Sequence, residues 1–498
     1  MTQKVNNPLS RRVRGLRASV LAQAVNLVLT ILKTILFTLF ISPEHFGIIA
    51  LSMSFTGIIQ ILNDLGFSTY IIQKENIEHR ELTSINATLV LLGLGAFVAT
   101  CLLAYPIALF YEETALYWVV PITGLQFIIN SFTLVPIALM RKQMEFNNIG
   151  KIQVFSNLLS ILLGLALLLV LRNYWVLLAI SSSYFIFQLV LTFRYNKWSY
   201  QFSNPFYKKI SMGAATFGRR LTIFNIITFI SVNLDNFIIA KIAGNGALGL
   251  YSKSYDFGVV NLERTVRYPV GQVYFSDISG KTPETKCTLF FQYLFLILSA
   301  LILIAGPVLI YLDWAVTTVF DQSWQPLILL LPPFLLSSII WMTMSIADEL
   351  LVASFETKRY LILGIIKAVV GALAIIIASF WGIEAIAWSF LLYHVVLFVP
   401  FCSGIFYGIG LENEQAKRYL LNLIGLVLSA LLVVVVPFLL LKFQMVSPHL
   451  SLVAFLAGCA VLYFKIWPGM IGFQAFKSFV AALLSKSDLF IGKKRTGN

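Results

Sequence analysis

Apolar runs long enough to cross a lipid bilayer recur along the chain from Val20 almost to Gly472. A spanning helix needs about 20 apolar residues, and only helices or closed barrels satisfy their backbone groups in hydrocarbon. The runs lack the period-two alternation of barrel strands, so they predict helices. Fourteen spans are predicted, at residues 18–41, 46–66, 84–110, 115–138, 150–171, 174–193, 217–242, 247–269, 286–312, 326–350, 360–380, 382–408, 418–441 and 449–467. The expected fold is an all-α polytopic membrane protein.

The basic residues between the apolar runs are concentrated on one predicted side of the membrane. With the N-terminus placed in the cytoplasm, the predicted outer connectors keep only Arg172, Lys241 and Lys442 of the 36 lysines and arginines. This bias follows the positive-inside rule and predicts a multi-pass protein of the cytoplasmic (inner) membrane with both termini in the cytoplasm. The net charge of +14 is thereby explained by topology, so nucleic acid is not an expected partner.

Composition and motifs argue against an enzyme. The four cysteines lie in or beside spans without paired spacing, so neither a disulfide framework nor a metal site is expected. The longest polar connector, about residues 194–215, is too short for a soluble catalytic domain, and the chain has no P-loop or H-E-x-x-H motif. No cofactor is expected, and any uphill transport would be coupled to a proton, sodium or substrate gradient.

An internal repeat is visible at an offset of 202 residues. This offset aligns Phe46-Gly47-Ile48-Ile49 with Leu248-Gly249-Leu250-Tyr251, and it aligns Lys33 with Asp235. Transporters are often built from such repeats. We therefore expect two pseudo-symmetric six-helix lobes around a central cavity, residues 1–205 and 206–411. Residues 412–498 would add two helices and a basic cytoplasmic tail.

Charged side chains inside spans are costly and usually face water or a partner. Lys33 and Asp235 fall at equivalent positions of the repeat with opposite signs. They predict either a gate or coupling switch between the halves, for which Asp64 is a third candidate, or a structural ion pair. Lys367 and His394 also lie within spans, and a lone histidine in a helix is more often simply hydrogen-bonded.

The predicted eighth span, 247–269, carries a polar stripe. At 100° per residue, one narrow arc contains Lys253, Asp256, Val260, Arg264 and Arg267. The equivalent second span has Ser52, Thr56, Gln60 and Asn63 on one arc with Asp64 beside it. The stripe predicts a cavity lining, although Arg264 and Arg267 could instead mark the cytoplasmic end. With Lys33, Arg219 and Arg220 added, the cavity would favour an anionic substrate, since arginine suits phosphate.

Four segments resemble the polysaccharide transporter (Wzx-type) branch of the multidrug/oligosaccharidyl-lipid/polysaccharide exporter superfamily. They are Phe46-Gly47 through Asn63-Asp64 to Gln73-Lys74 with Glu81; Arg141 to Phe146; Phe217-Gly218 with Asn233-Leu234-Asp235-Asn236; and Gly244 to Tyr251 with Tyr255. Their order and spacing match across about residues 10–280, and the remainder matches in hydropathy.

The resemblance implies a fourteen-helix transporter that works by alternating access. It implies a flippase that moves a polyprenyl-pyrophosphate-linked oligosaccharide across the membrane for lipopolysaccharide O-antigen, capsule or exopolysaccharide synthesis. Membrane lipids, and a polysaccharide polymerase with its export machinery, would be partners. Lys33, Lys253, Arg264 and Arg267 would hold the anionic head. The main alternative is a multidrug or cation antiporter of the same superfamily; a membrane glycosyltransferase or polymerase is disfavoured by the short outer loops.

Overall fold

The computed structural model describes the chain between residues 23 and 485, except residues 24, 65–66, 75–76, 144, 197–207 and 279. Within that part the regular structure is helical throughout and contains no strand. Eleven of the described helices are long and apolar enough to cross a membrane, and a shorter apolar helix lies at Val25–Thr38. The prediction of an all-α polytopic membrane protein is therefore confirmed.

The first seven helices alternate with short connectors, as the breaks in hydropathy predict. They are α1 (Val25–Thr38), α2 (Pro43–Asp64), α3 (Phe67–Gln73), α4 (His79–Tyr111), α5 (Leu116–Lys142), α6 (Phe146–Leu168) and α7 (Tyr174–Tyr195). The break after α4 illustrates the physical cause. Glu112 has a positive φ of 57°, and its N–H bonds back to the last carbonyls of the helix, so the chain turns there.

The later helices are α8 (Lys208–Tyr255), α9 (Tyr268–Ile278), α10 (Pro283–Val319), α11 (Leu327–Ala353), α12 (Thr357–Ala378), α13 (Ile383–Phe406), α14 (Asn413–Lys442), α15 (Pro448–Val461) and α16 (Phe473–Ser485). Helix α8 is interrupted at Gly244, whose φ of 80° and ψ of 179° are not helical. This break separates the predicted seventh and eighth spans.

The helix that follows Gly244 contains two π-helical turns. They cover Asp256–Val260 and Glu263–Arg267, between the end of α8 and the start of α9. A π turn closes hydrogen bonds from residue i to i+5 and so holds more residues per turn than an α-helix. A helical wheel drawn at 100° per residue therefore does not describe residues 256–267.

Two compact units divide the chain. Unit I comprises Met1–Lys253 with Phe320–Trp324, and unit II comprises Ser254–Val319 with Gln325–Asn498. The predicted division at residues 205 and 411 concerns internal symmetry rather than compactness, and it stays a prediction.

Each unit has its own apolar core. In unit I, one cluster joins α3, α4 and α5 through fully buried side chains that include Ile71, Ile85 and Leu89. In unit II, α11 is the most buried of the described candidate spans. Phe290, Phe295 and other aromatic side chains of α10 are also buried there. These cores position the polar residues described next.

Candidate functional site

Two glycines allow the start of α2 to touch the segment of α8 that follows Gly244. A Cβ on Gly47 would lie 1.8 Å from the carbonyl oxygen of Asn245, and one on Gly249 would lie 1.8 Å from that of Pro43. No side chain fits at such a distance, so the backbones meet directly. We call this contact the glycine crossing; all four residues belong to unit I.

The glycine crossing obeys the 202-residue offset of the repeat. Under this offset Gly47 corresponds to Gly249, and Pro43 corresponds to Asn245. Gly47 contacts Asn245 and Gly249 contacts Pro43, so the offset exchanges the two contacts. This reciprocity is the signature of a contact about a two-fold axis. It supports the repeat that the sequence predicts.

Asp235 lies buried on α8 and is held by neutral donors. Its Oδ2 accepts a hydrogen bond from the Tyr251 hydroxyl at 2.7 Å, and its Oδ1 accepts the Asn236 N–H at 2.8 Å. The Asn236 side-chain amide in turn donates to Ser54 on α2 at 3.1 Å. The network links the segments of α8 before and after Gly244 to each other, and it links the first of these segments to α2. Lys33, a half-buried residue of α1, is not among the donors to Asp235.

Lys253 lies one turn beyond the glycine crossing. Its ammonium is 5.1 Å from the centre of the Phe46 ring, and Trp324 packs edge-on against the same ring at 5.5 Å. An aromatic face stabilises a cation through its negative quadrupole. Asp256, at the start of the first π turn, is partly buried.

Arg267 belongs to a group of charges around the end of α11 in unit II. It pairs with Glu349 at 3.2 Å, and Lys367 of α12 pairs with the neighbouring Asp348 at 3.4 Å. Lys286 of α10 donates to the Ala353 carbonyl at 2.9 Å. Two of these cations thus pair with acidic residues near the C-terminus of α11, and the third bonds to a carbonyl there. The helix dipole also favours positive charge at this end.

Arg264 differs from its neighbour Arg267. It lies exposed in the second π turn, and among the described residues its guanidinium has neither an ion pair nor a hydrogen bond. In the sequence it lies near the end of the predicted eighth span, 247–269, which the charge distribution places on the inner side.

Lys74 and Glu81 belong to the first of the four segments that resemble the transporter family. Their contact holds the connector between α3 and α4. The Lys74 ammonium lies 2.6 Å from both carboxylate oxygens of Glu81. The Oε1 atom also accepts a hydrogen bond from the Tyr70 hydroxyl at 2.6 Å. The hydrogen bond with Glu81 is the main cause that raises the pKa of Lys74. Lys142 donates to the Lys74 carbonyl, so α5 joins the same cluster. These residues are structural.

The structure gives fewer contacts for the remaining predicted site residues. Gln60 is exposed on α2. The side chains of Asn63, Asp64 and Arg219 lie outside the described part of the chain. His394 of α13 is buried and bonded through Nδ1 to the Phe390 carbonyl at 2.7 Å, which matches the expected hydrogen-bonded role. Asp348 and Glu349 were not singled out, although Lys367 and Arg267 within spans call for such partners.

The family model described as "Polysaccharide biosynthesis protein" matches residues 36–329. The chain belongs to this family. It is a polysaccharide transporter of the multidrug/oligosaccharidyl-lipid/polysaccharide exporter superfamily, as the four segments predict.

Curated relatives agree. The chain is 24% identical over 399 residues to an uncharacterized membrane protein in the cps region of Klebsiella pneumoniae, which covers 78% of this chain and 80% of that protein. It is 26% identical to the lipopolysaccharide biosynthesis protein WzxC of Escherichia coli and 26% identical to the teichuronic acid biosynthesis protein TuaB of Bacillus subtilis. These two alignments cover 50% and 53% of the chain, and only 51% and 55% of the two relatives.

Solved structures share the fold. The lipid II flippase MurJ in an inward closed conformation superposes with a TM-score of 0.66 over 95% of this chain and 100% of that chain, at 14% identity. An inward-facing multidrug resistance MATE transporter superposes with a TM-score of 0.59 over 81% of this chain and 98% of that chain, at 13% identity. At these identities the likeness establishes the fold alone.

Proposed function

We propose that this transporter is a flippase for a polyprenyl-pyrophosphate-linked oligosaccharide. The observation that carries the proposal is Arg264, an exposed guanidinium near the predicted inner boundary of the membrane that makes no ion pair and no hydrogen bond with a described residue. A planar guanidinium binds phosphate through two parallel hydrogen bonds. A lipid diphosphate in the inner leaflet would meet this group first, while its polyprenyl chain stays in the bilayer.

Lys253, in unit I, is a second cation that the proposal assigns to the anionic substrate. Its ammonium lies 5.1 Å from the centre of the Phe46 ring, and an aromatic face stabilises a cation.

The glycine crossing is the contact that would open during alternating access. It lies at the start of both spans, which the charge distribution places on the outer side. Two touching backbones without interlocking side chains can separate without rearranging a core, and the Asp235 network just beneath can re-form its hydrogen bonds. Coupling to a proton or sodium gradient would act through Asp235.

The decisive experiment removes the gene and follows the lipid. Deletion is expected to abolish surface polysaccharide and to leave polyprenyl-pyrophosphate oligosaccharide on the cytoplasmic leaflet of the inner membrane. Complementation with the intact chain should restore the surface glycan. Unchanged surface glycan together with altered tolerance to drugs or cations would overturn the proposal and favour an antiporter.

A further inference from the structure

Helix α12 of unit II has one face toward the protein and one exposed apolar face. It is the least buried of the described candidate spans. Lys367 marks the inward face, because its ammonium lies 3.4 Å from Asp348 of α11. Lys358, nine residues earlier, falls on the opposite side of the helix at 100° per residue. The exposed residues that share the side of Lys358 are apolar and include Ile362, Ile365 and Val369.

The exposed face of α12 has the length of a bilayer and ends in aromatic residues. Its 22 residues rise about 33 Å, against a hydrocarbon core of about 30 Å. Phe380 and Trp381 are exposed just beyond its predicted outer end, and Phe355 is exposed just before its predicted inner end. Aromatic rings are typical of the two membrane interfaces. The face is therefore a lipid-facing surface whose inner end lies at headgroup level.

Phe355 adopts a backbone conformation that is costly for a phenylalanine. Among the described residues, three that are not glycine have a positive φ, and two of them, Glu112 and Gln444, are polar. Phe355 has a φ of 60°, yet it is 90% exposed. Glycine would adopt this φ without strain. Neither the turn nor packing within the described chain explains the ring, whereas contact with an apolar phase outside the chain does.

Two cations adjoin Phe355 at the start of α12. Lys358 and Arg359 are exposed, and neither makes an ion pair or a hydrogen bond with a described residue, the nearby Glu356 included. Arg359 lies over Gly408 at the end of α13, where a Cβ would overlap Nη1 and lie 2.6 Å from Cδ. The missing side chain at Gly408 thus leaves room for the guanidinium, and its charge remains available to a ligand.

The chemistry of this end of α12 fits an anionic phospholipid. A guanidinium binds phosphate through two parallel hydrogen bonds, and an ammonium adds a point charge. The cytoplasmic leaflet carries the anionic lipids, which attract basic residues at its surface. An acyl chain needs an apolar surface of membrane depth beside the headgroup, and the stripe that begins at Ile362 provides it.

We propose that the inner end of α12 is a binding site for an anionic phospholipid of the cytoplasmic leaflet. Lys358 and Arg359 hold the headgroup phosphate, Phe355 lies at the interface beside it, and one acyl chain follows the exposed stripe. The site belongs to unit II and does not depend on which substrate the chain transports. It binds a resident membrane lipid, so its occupancy follows the composition of the membrane.

The test measures lipid binding to the purified full-length chain by native mass spectrometry. The probes are dioleoylphosphatidylglycerol, which is anionic, and dioleoylphosphatidylcholine, which has the same chains and no net charge. The wild type should bind the anionic lipid about tenfold more tightly. Combining Lys358→Gln with Arg359→Gln should abolish that preference and leave binding of the zwitterionic lipid unchanged.

The matched control combines Lys417→Gln with Arg418→Gln. It removes the same charge from the predicted inner end of α14, where Glu414 precedes the two cations by three and four residues. Its preference for the anionic lipid should equal that of the wild type. Equal losses for the two double variants would mean that net charge alone attracts the lipid, and they would overturn the site. Equal binding of both lipids by the wild type would overturn it as well.

Two single variants leave the charge of the chain unchanged. Phe355→Gly should not lower the melting temperature, since glycine accepts the positive φ, but it should weaken binding of the anionic lipid about threefold. Gly408→Ala should also weaken binding by displacing the Arg359 guanidinium. Gly364→Ala on α12, with nothing within 4 Å of its Cβ position, is its control. Unchanged binding of the anionic lipid by either Phe355→Gly or Gly408→Ala contradicts the proposed site.

Discussion

In unit I the buried carboxylate of Asp235 is held by a tyrosine hydroxyl and a backbone N–H, whereas in unit II the carboxylates of Asp348 and Glu349 each face a cation. When a carboxylate with neutral donors changes its hydrogen-bond partners, no cation is left without a counter-ion. Separating a desolvated ion pair leaves two uncompensated charges and is far more costly. The described polar network of unit I is therefore suited to rearrangement, and the charges of unit II to fixing α11.

Arg264 is the exception that gives this comparison its functional meaning. It belongs to unit II, yet among the described residues it lacks the partner that Arg267, only three positions later, possesses. A charged residue within a span can therefore have either a functional or a structural role. The two roles are distinguished by whether the charge has a partner in the structure.

The largest effect is expected from Arg264→Glu. Reversing the charge places a carboxylate where the diphosphate would bind, so export of the glycan should fall about a hundredfold or more. The amount of protein in the membrane should not change, because no ion pair is broken. Export is measured as surface polysaccharide per unit of membrane protein. Lys281→Glu, which alters an exposed connector pair with Asp277, is the control and should retain export.

Glu349→Ala should instead act on stability. It leaves Arg267 without its carboxylate, and the free energy of unfolding should drop by about 3 kcal/mol. The double variant Arg267→Met with Glu349→Leu should recover most of that loss, since apolar side chains replace the pair. Thermal unfolding of the purified chain measures both. A double variant as unstable as Glu349→Ala would contradict a structural role for the pair.

Gly249→Ala tests the glycine crossing in unit I. The new methyl group would lie 1.8 Å from the Pro43 carbonyl oxygen, so the helices must move apart, at a cost of about 1–3 kcal/mol. Gly246→Ala is the matched control on the same segment, because nothing lies within 4 Å of its Cβ position. We expect reduced export and a lower melting temperature for the first variant only. Equal behaviour of the two would mean that the contact is not required.

The smallest effect is expected from Tyr251→Phe, which keeps the ring and removes one donor to Asp235. The loss should be about 1–2 kcal/mol of unfolding free energy, less than for Glu349→Ala, since the Asn236 N–H remains. Tyr105→Phe, on an exposed ring, should change stability by less than about 0.5 kcal/mol. A loss at Tyr251 as large as that at Glu349 would remove the contrast between the units.

Hydropathy was sufficient to predict the helical membrane fold and many of its breaks. The turn after Tyr111 and the interruption at Gly244 both lie where polar or glycine residues divide apolar runs. The π turns at 256–260 and 263–267 were not predictable in this way. Their hydrogen-bond pattern is set by packing around the helix, and a period of 3.6 residues in the sequence carries no trace of it.

The candidate site was predicted only in part. Lys253 and Arg264 were found because cations within a span are rare, but the sequence could not tell which arginine had a partner. The partners of Arg267 and Lys367 were missed because Asp348 and Glu349 lie near a span end, where charge is unremarkable. The roles assigned to Lys33 and Asp235 stay predictions.

The reciprocal geometry of Gly47 and Gly249 has an evolutionary consequence. If both halves descend from one duplicated gene, the ancestral half-length chain could pair with a copy of itself, and a single glycine served both sides of that dimer. After duplication the two positions could vary separately. Pro43 and Asn245 have diverged, since each contributes only a carbonyl, whereas both glycines remain because any side chain would strike the opposite backbone. On that descent, the glycine crossing corresponds to the interface between the two copies of the ancestral chain.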